Sequence, residues 1–283
     1  MIWIVVIAVV LLCLYLIMIM PRLSGKPDFS MFRKQCLYAH RGLHDNNTDA
    51  PENSMRAFQK AVDAGYGIEM DVQLTKDKIP VVFHDDTLKR VCGAEGTVDS
   101  YTFEELQQFS LLGTDQKIPK FEDFLKLVDG KVPLIVEHKI EPRHDMSVCE
   151  IVAPMLLAYK GEYCMESFNP FGVKWYKEHH PKIIRGQLSQ LFRKHGMKAS
   201  FKMRIPYFAM EHLLFNFLTK PDFIAYDCRD KKEPSRRLCK SLYGNIPVSW
   251  TVKSQEQLDS IRGDFDVYIF EGFTPELKKL EKL

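Results

Sequence analysis

Strand-like runs that alternate with helix-like ones, and charged residues gathered where several of those runs end, predict an α/β fold. The fold expected is a TIM (β/α)8 barrel preceded by one apolar helix. The runs are Leu37–His40, Gly67–Asp71, Pro80–His84, Val132–Lys139, Tyr163–Phe168, Ile183–Leu188, Phe223–Asp227, Val248–Val252 and Val267–Glu271. Nine is one too many for an eight-stranded barrel. Parallel neighbours need a crossover of about a dozen residues, and VQLTKDKI, between Asp71 and Pro80, is too short and too polar to supply one. Val72–His84 is therefore read as a hairpin turning near Lys76–Lys78, which returns His84 to the end of the barrel where Asp71 lies. Helices are predicted over Ser54–Ala64, Thr102–Phe109, Lys120–Val128, Val148–Tyr159, Phe171–His180, Tyr207–Leu218 and Ser254–Ile261. Asn53 or Ser54 caps the first, Ser254 and Gln257 make a capping box for the last, and Gly65 and Gly130 close the helices before them.

The chain has 283 residues, and from Ile2 to Met20 there is no charge. Such a run is long enough for a bilayer core of roughly 30 Å. No basic residue precedes it, and MIMPRLSG has no small-x-small cleavage site, so residues 1–20 are expected to be an uncleaved transmembrane anchor. Residues 21–36, with two prolines and Arg22, Lys26, Arg33 and Lys34, read as a juxtamembrane tether, and residues 37–283 as the catalytic barrel. Basic residues behind the span place the barrel in the cytoplasm, on a single-pass protein of the cell membrane. Seven cysteines without CxxC spacing fit free thiols in a reducing compartment better than a zinc site or a disulfide frame. A net charge of +2 points to no nucleic-acid partner.

Alternate residues of a strand face one side, so Glu69 and Asp71 point together into the barrel mouth, and Glu137 and Lys139 do so from another strand. Pairing with a nearby Lys or Arg accounts for any one of these acids more readily than for all three. Three carboxylates converging at strand ends repel one another, and a divalent cation resolves the conflict. Oxygen-only ligation suits Mg²⁺ or Ca²⁺. His40 and His84, each closing an apolar run beside the acids, fit a general acid and a general base. The planar fork of Arg41 suits phosphate oxygens, with Lys139 as a second positive charge. Glu52 is placed to orient a histidine or a ligand, while Asn53 is divided between helix capping and the site. His138 faces the other way and His44 lies in a polar loop, so neither is included. In the long connection 189–222, Arg193, Lys194, Lys198, Lys202 and Arg204 lead into YFAMEHLLFNFL. That stretch either wraps the barrel or dips into an anionic leaflet.

The order His-Arg-Gly, Pro-Glu-Asn-Ser, Glu-x-Asp-Val-x-x-Thr-x-Asp, Val-Val-x-His-Asp, Glu-x-Lys, Ser-Phe, Trp-Thr-Val resembles the glycerophosphodiester phosphodiesterase family over residues 37–271, here in a membrane-anchored form of bacterial type. The resemblance implies a TIM barrel that binds one divalent cation, Ca²⁺ or Mg²⁺. It implies hydrolysis of glycerophosphodiesters to glycerol 3-phosphate and an alcohol. By the same resemblance Glu69, Asp71 and Glu137 are metal ligands, and His40 and His84 the acid–base pair. Arg41, Glu52 and Lys139 serve the phosphate side, and Ser167, Phe168 and Trp250 line the pocket. Two departures stand out: Lys78 where the family often has a turn glycine, and Phe270-Glu271 where the last strand usually ends Thr-Asp, which leaves the role of Glu271 open. The expected substrate is a small or lipid-derived phosphodiester, with membrane lipids as partners of the anchor. The competing readings are a lysophospholipase D acting on membrane lysophospholipids and, in a different class, a catalytically idle barrel that binds a phosphorylated ligand.

Overall fold

Side-chain alternation along short apolar strands builds a closed barrel. A computed structural model describes residues 1–140, 145–196 and 200–276. Its strands are β1 (Leu37–His40), β2 (Gly67–Leu74), β3 (Pro80–Val82), β4 (Leu134–His138), β5 (Tyr163–Ser167), β6 (Arg185–Ser189), β7 (Phe223–Asp227), β8 (Ile246–Val252) and β9 (Val267–Phe270). All but β3 are parallel, and β1 closes the ring by pairing with both β9 (Leu37 with Tyr268) and β2 (Tyr38 with Gly67). β3 is the return arm of the predicted hairpin, antiparallel to the end of β2 with Val72 opposite Val82. Its turn keeps Lys78 in the left-handed region at φ +63°, a conformation that glycine would adopt without strain.

Helices α1 (Ile2–Met18) and α2 (Ser30–Lys34) precede the barrel. Then come α3 (Met55–Asp63) after β1, and α4 (Lys89–Cys92), α5 (Phe103–Leu106) and α6 (Phe121–Val128) between β3 and β4. They are followed by α7 (Ser147–Ala158), α8 (Pro170–His179), α9 (Arg204–Glu211), α10 (Asn216–Thr219), α11 (Pro234–Tyr243) and α12 (Gln255–Ile261). Ser54 caps α3 by accepting from the Ala57 amide (3.1 Å), and Ser254 caps α12 through Gln257. The helix expected over Tyr207–Leu218 is broken into α9 and α10. Leu213 turns to φ +57° and buries its side chain where the chain bends from the mouth down the barrel wall. Helix α11 was not among the predicted helices, although Pro234 in its first turn and the left-handed Gly244 after it are standard end signals.

The barrel is layered. Outward residues such as Ile68, Met70, Leu134, Val136 and Met165 pack against the helices together with Phe58 and Phe124. Inward residues Tyr38, Ile135, Cys164, Ala225, Val248 and Ile269 form a second core inside the ring. Met31 and Phe32 of α2 plug its lower end, with the Phe32 ring 5.3 Å from Phe223 and 6.0 Å from Tyr38. Two residues further along several of these strands, on the same inward face, stand His40, Glu137, Glu166, Trp250 and Glu271. The polar mouth thus rests on an apolar middle layer and a plugged floor.

The apolar run is shorter as a helix than expected. Helix α1 has 17 residues, about 26 Å at 1.5 Å each. Among the described residues no helix is long and apolar enough to cross a membrane. The transmembrane span predicted over 1–20 is corrected accordingly. Its far end is spent on the barrel: Ile19 is fully buried, and its carbonyl accepts from Asn216 Nδ2 (3.0 Å) and Cys239 Sγ (3.3 Å). The segment 21–36 is strapped along the floor, with Arg22 bonded to the carbonyls of Pro181 and Pro221 and to Asp222.

Gly42 follows β1 at φ +82°, and a Cβ there would lie 2.9 Å from the Ala57 carbonyl carbon and 3.0 Å from its oxygen. Gly42→Ala is expected to destabilise the fold by more than about 1 kcal/mol, read as a lower midpoint in urea denaturation.

Candidate active site

The register of three parallel strands sets one acidic row, with Asp71 beside Glu137 and Glu137 beside Glu166. Glu69 lies two residues below Asp71 on β2. Glu69, Asp71 and Glu137 each offer a carboxylate oxygen within 4.8 Å of the others, and all four acids are buried. Burial pushes the Glu69 and Glu166 carboxyls well above the usual range, and repulsion from the neighbouring acids adds to it. Asp71 goes the other way: burial would raise it, but the charges of Lys139, His84 and Arg41 hold it well below. The Lys139 ammonium bridges Asp71 (2.9 Å) and Glu137 (2.8 Å), and Asn53 Nδ2 donates to the other Asp71 oxygen (3.0 Å). Asn53 thus belongs to the site, leaving the cap to Ser54, and its φ of +57° is one that asparagine tolerates. Buried Glu166 Oε2 has no hydrogen-bond partner among the described residues. An oxygen-only donor set with that excess of negative charge fits a hard divalent cation.

Both histidines are held alike. His40 Nδ1 meets Glu271 Oε2 at 2.5 Å, and His84 Nδ1 meets Asp85 Oδ1 at 2.7 Å. A carboxylate can only accept, so each Nδ1 carries a proton, and whenever a ring is neutral its lone pair is on Nε2. His40 Nε2 lies 3.8 Å from Glu69. Burial, reinforced by the Arg41 charge, lowers His40 to about 4 against the pull of Glu271. Glu271 is also held by Lys253 (2.8 Å) and stands 3.9 Å from His44, which therefore lies beside the site and not in an idle loop.

Arg41 occupies the left-handed region at φ +55°, a strained position for a side chain of its size. Its Nη1 donates to Glu52 (2.6 Å), while its Nε has no hydrogen-bond partner among the described residues. Arg90 of α4 ties the periphery together, donating to both Glu52 oxygens (2.6 and 2.7 Å) and to both Asp85 oxygens (2.6 and 2.7 Å). Burial would raise Glu52, but the Arg90 hydrogen bonds and the Arg41 charge bring it to about 2.

His40, Arg41, Glu69, His84, Glu137 and Glu166 line a cavity of about 80 Å³, walled on its apolar side by Phe168 and Trp250, whose rings meet edge to face at 5.4 Å. The Trp250 Nε1 is buried without a partner among the described residues. Ser167 does not line the cavity, contrary to expectation. As the neighbour of inward Glu166 and Phe168 it faces the helix layer, donating to the His138 carbonyl (2.8 Å). His138 is outside the mouth, as its strand position implies, with Nε2 on Tyr176 (2.9 Å). Glu166 and Arg90 were missed. Glu166 was legible in principle, two residues before inward Phe168, whereas Arg90 acts only through tertiary proximity. A second group, His195, Asp227 and Asp230, is neutralised locally: Lys194 pairs with Asp230 (2.7 Å) and Arg229 with Asp227 (2.5 Å). Lys198, from the predicted basic loop, lies outside the described residues.

Known proteins share this fold and stretches of this sequence. The model of the Glycerophosphoryl diester phosphodiesterase family matches residues 40–190. A glycerophosphodiester phosphodiesterase of Caldanaerobacter subterraneus is 28% identical over 234 residues, 74% of this chain and 91% of its own. YhdW of Bacillus subtilis is 32% identical over 195 residues, 64% of this chain and 78% of its own. Among solved structures, an Oleispira antarctica phosphodiesterase in complex with the product sn-glycerol-3-phosphate aligns with a TM-score of 0.65. It is 22% identical, over 83% of this chain and 92% of that one. The Thermotoga maritima glycerophosphodiester phosphodiesterase aligns at 0.63, also 22% identical, over 83% and 94%. The family match and the named relatives, on this barrel, define an enzyme that hydrolyses phosphoric diesters. Within that class, the chain belongs to the glycerophosphoryl diester phosphodiesterase family.

Glu271→Gln keeps the shape but offers an amide that can donate to His40 Nδ1 and shift the proton to Nε2. Turnover is expected to fall at least about tenfold, toward the 10²–10⁴ range associated with a misprotonated acid–base group. Divalent-cation affinity, followed by calorimetric titration, should be unchanged.

Proposed function

We propose that this chain catalyses metal-dependent hydrolysis of glycerophosphodiesters to sn-glycerol 3-phosphate and an alcohol, in phospholipid and glycerol metabolism. The observation that carries this reading is the pair of histidines, each with a carboxylate on Nδ1, beside one buried acidic cluster. Glu69, Asp71 and Glu137 would hold a divalent cation, Ca²⁺ or Mg²⁺, which supplies charge neutralisation at the phosphoryl oxygens. Arg41, whose Nε stands 3.7 Å from Asp71 without a hydrogen bond among the described residues, and the Trp250 indole N–H would donate to the non-bridging oxygens, with Lys139 adding positive charge. One histidine takes the proton from the attacking oxygen as its bond to phosphorus forms. The other, starting protonated on both ring nitrogens, gives its Nε2 proton to the alcohol oxygen as the P–O bond breaks. Glu52 and Arg90 fix Arg41 and Asp85, and so orient the phosphate donor and His84 together. Asn53 orients Asp71, and Ser167 braces the β4–β5 strand ends from behind.

The idle barrel is the weaker reading, because both histidines and every metal-site acid are retained with their supporting partners. Cytoplasmic placement is part of the proposal, supported by seven free cysteines. So is contact with membrane lipid, supported by the exposed apolar side chains of α1.

The test is turnover of glycerophosphocholine and glycerophosphoethanolamine by the full chain. EDTA should abolish it and added Ca²⁺ or Mg²⁺ restore it, and His40→Ala and His84→Ala should each lower it at least about a hundredfold. Undiminished turnover in EDTA, or in both alanine variants, would contradict the proposal.

A further inference from the structure

Strand direction puts a second charged cavity at the end of the barrel opposite the catalytic mouth. Barrel strands run from floor to mouth, so Arg185, which opens β6, and Lys220 and Asp222, just ahead of β7, stand at the floor. Lys177 lies in the last turn of α8, which leads down to β6. Together with residues 20–24 of the strapped segment, these elements enclose a cavity of about 460 Å³. Among the described residues that line it are four cations, Arg22, Lys177, Arg185 and Lys220, and no acid. Asp222 stands behind two of the cations, 3.3 Å from Arg22 and 3.6 Å from Arg185. Lys177 and Lys220 have no carboxylate at ion-pair distance among the described residues, and Glu178, beside Lys177, is taken by Lys174 (2.9 Å). Four cations against one carboxylate leave three positive charges in excess.

Lysines near helix C-termini ordinarily serve the carbonyls there, and that accounts for part of the arrangement. Lys177 Nζ donates to the Leu218 carbonyl (2.6 Å), and Lys220 Nζ to the Met20 carbonyl (3.2 Å). A carbonyl takes one of an ammonium's three donors and brings no full charge to balance it. Arg185 is the stronger sign. It is 2% exposed, its Nε donates to the Thr219 carbonyl (3.4 Å), and its Nη1 has no hydrogen-bond partner among the described residues. Burial lowers Arg185 from its usual range against the pull of Asp222, and the Arg22 charge adds to the fall. Burial lowers Lys220 in the same way, with the Lys177 charge adding to it. The floor is short of negative charge, as the mouth is short of positive charge.

We propose that the floor cavity is an anion site for a phosphomonoester, held by the Arg185 guanidinium and the Lys177 and Lys220 ammonium groups. A planar fork and two ammonium groups match the tetrahedral end of such a ligand, which carries close to two negative charges at neutral pH. The volume admits a small organic group beyond the phosphate. Arg22 and the Met20 carbonyl come from the segment ahead of the barrel, and the other three cations from the barrel itself. A bound anion therefore also pins residues 20–24 to the floor. The inference does not rest on the reaction assigned to the mouth.

The probe is glycerol 3-phosphate, titrated calorimetrically into the full chain in EDTA, where the uncompensated acidic row repels it from the mouth. A second arm offers the same group as phosphatidate in phosphatidylcholine vesicles, read by co-sedimentation against vesicles of phosphatidylcholine alone. Lys177→Gln and Lys220→Gln should each weaken binding by about tenfold or more. Lys174→Gln, on the same helix but paired with Glu178, should leave it unchanged. That pattern in the first arm assigns the site to a soluble phosphomonoester, and in the second arm alone to a lipid headgroup. Binding should also slow hydrogen exchange over residues 20–24 in the wild type but not in Lys220→Gln. Urea midpoints measured without ligand separate lost binding from lost folding. Absence of binding in both arms, equal weakening by Lys174→Gln, or undiminished binding in both Lys177→Gln and Lys220→Gln would overturn the inference.

Discussion

Mutual repulsion among Glu69, Asp71, Glu137 and Glu166 is the constraint around which the barrel mouth is arranged. Four carboxylates in one buried space are costly unless positive charge stands among them. Lys139 supplies some by bridging Asp71 and Glu137, and Arg41 supplies more from beside Asp71. The balance still falls short, which is why burial and repulsion together lift Glu69 and Glu166 so far. A site that disfavours its own charge in this way favours a divalent cation, and a bound phosphodiester then meets a surface no longer repellent to it. Outside the acidic row, Glu271 and Asp85 hold the Nδ1 protons of the two histidines.

The barrel itself was largely legible. Strand runs with strict alternation put apolar residues on both faces and left the polar ones at strand ends, so closure by eight strands and the hairpin after Asp71 could be read from spacing. What escaped has physical reasons. Helix α11 carries Arg236, Arg237 and Lys240, and its amphipathic pattern is weak in apolar residues. Leu213 breaks a segment that reads as one continuous helix, because only the packed barrel requires the chain to turn there. In the site, Glu69, Asp71 and Glu137 and both histidines could be picked out because they stand on the inward face of strands or at and just past strand ends. Their supporting partners were less legible: Glu271 reaches His40 across 231 positions of sequence, and Arg90 joins Glu52 to Asp85 across a gap no spacing rule covers.

The segment ahead of the barrel changes meaning most. An uncharged run suggests a bilayer span with a tether behind it, but the run is divided. Its far end is consumed in docking against α10 and α11, the following segment straps the floor, and α2 plugs it with Met31 and Phe32. Arg22 and Lys26, which the orientation rule would count as flanking charges, are engaged by the carbonyls of Pro181 and of Tyr243 and Gly244.

The central claim is that the acidic cluster is a cation site, and stoichiometric binding tests it most directly. Calorimetric titration of the EDTA-stripped full chain with Ca²⁺ or Mg²⁺ should give one ion per chain. A hundredfold excess over the dissociation constant should then stabilise the fold by about 2.7 kcal/mol, and Glu137→Gln should abolish both effects. Binding of the same ion, with the same affinity and stabilisation, in wild type and Glu137→Gln would contradict the account.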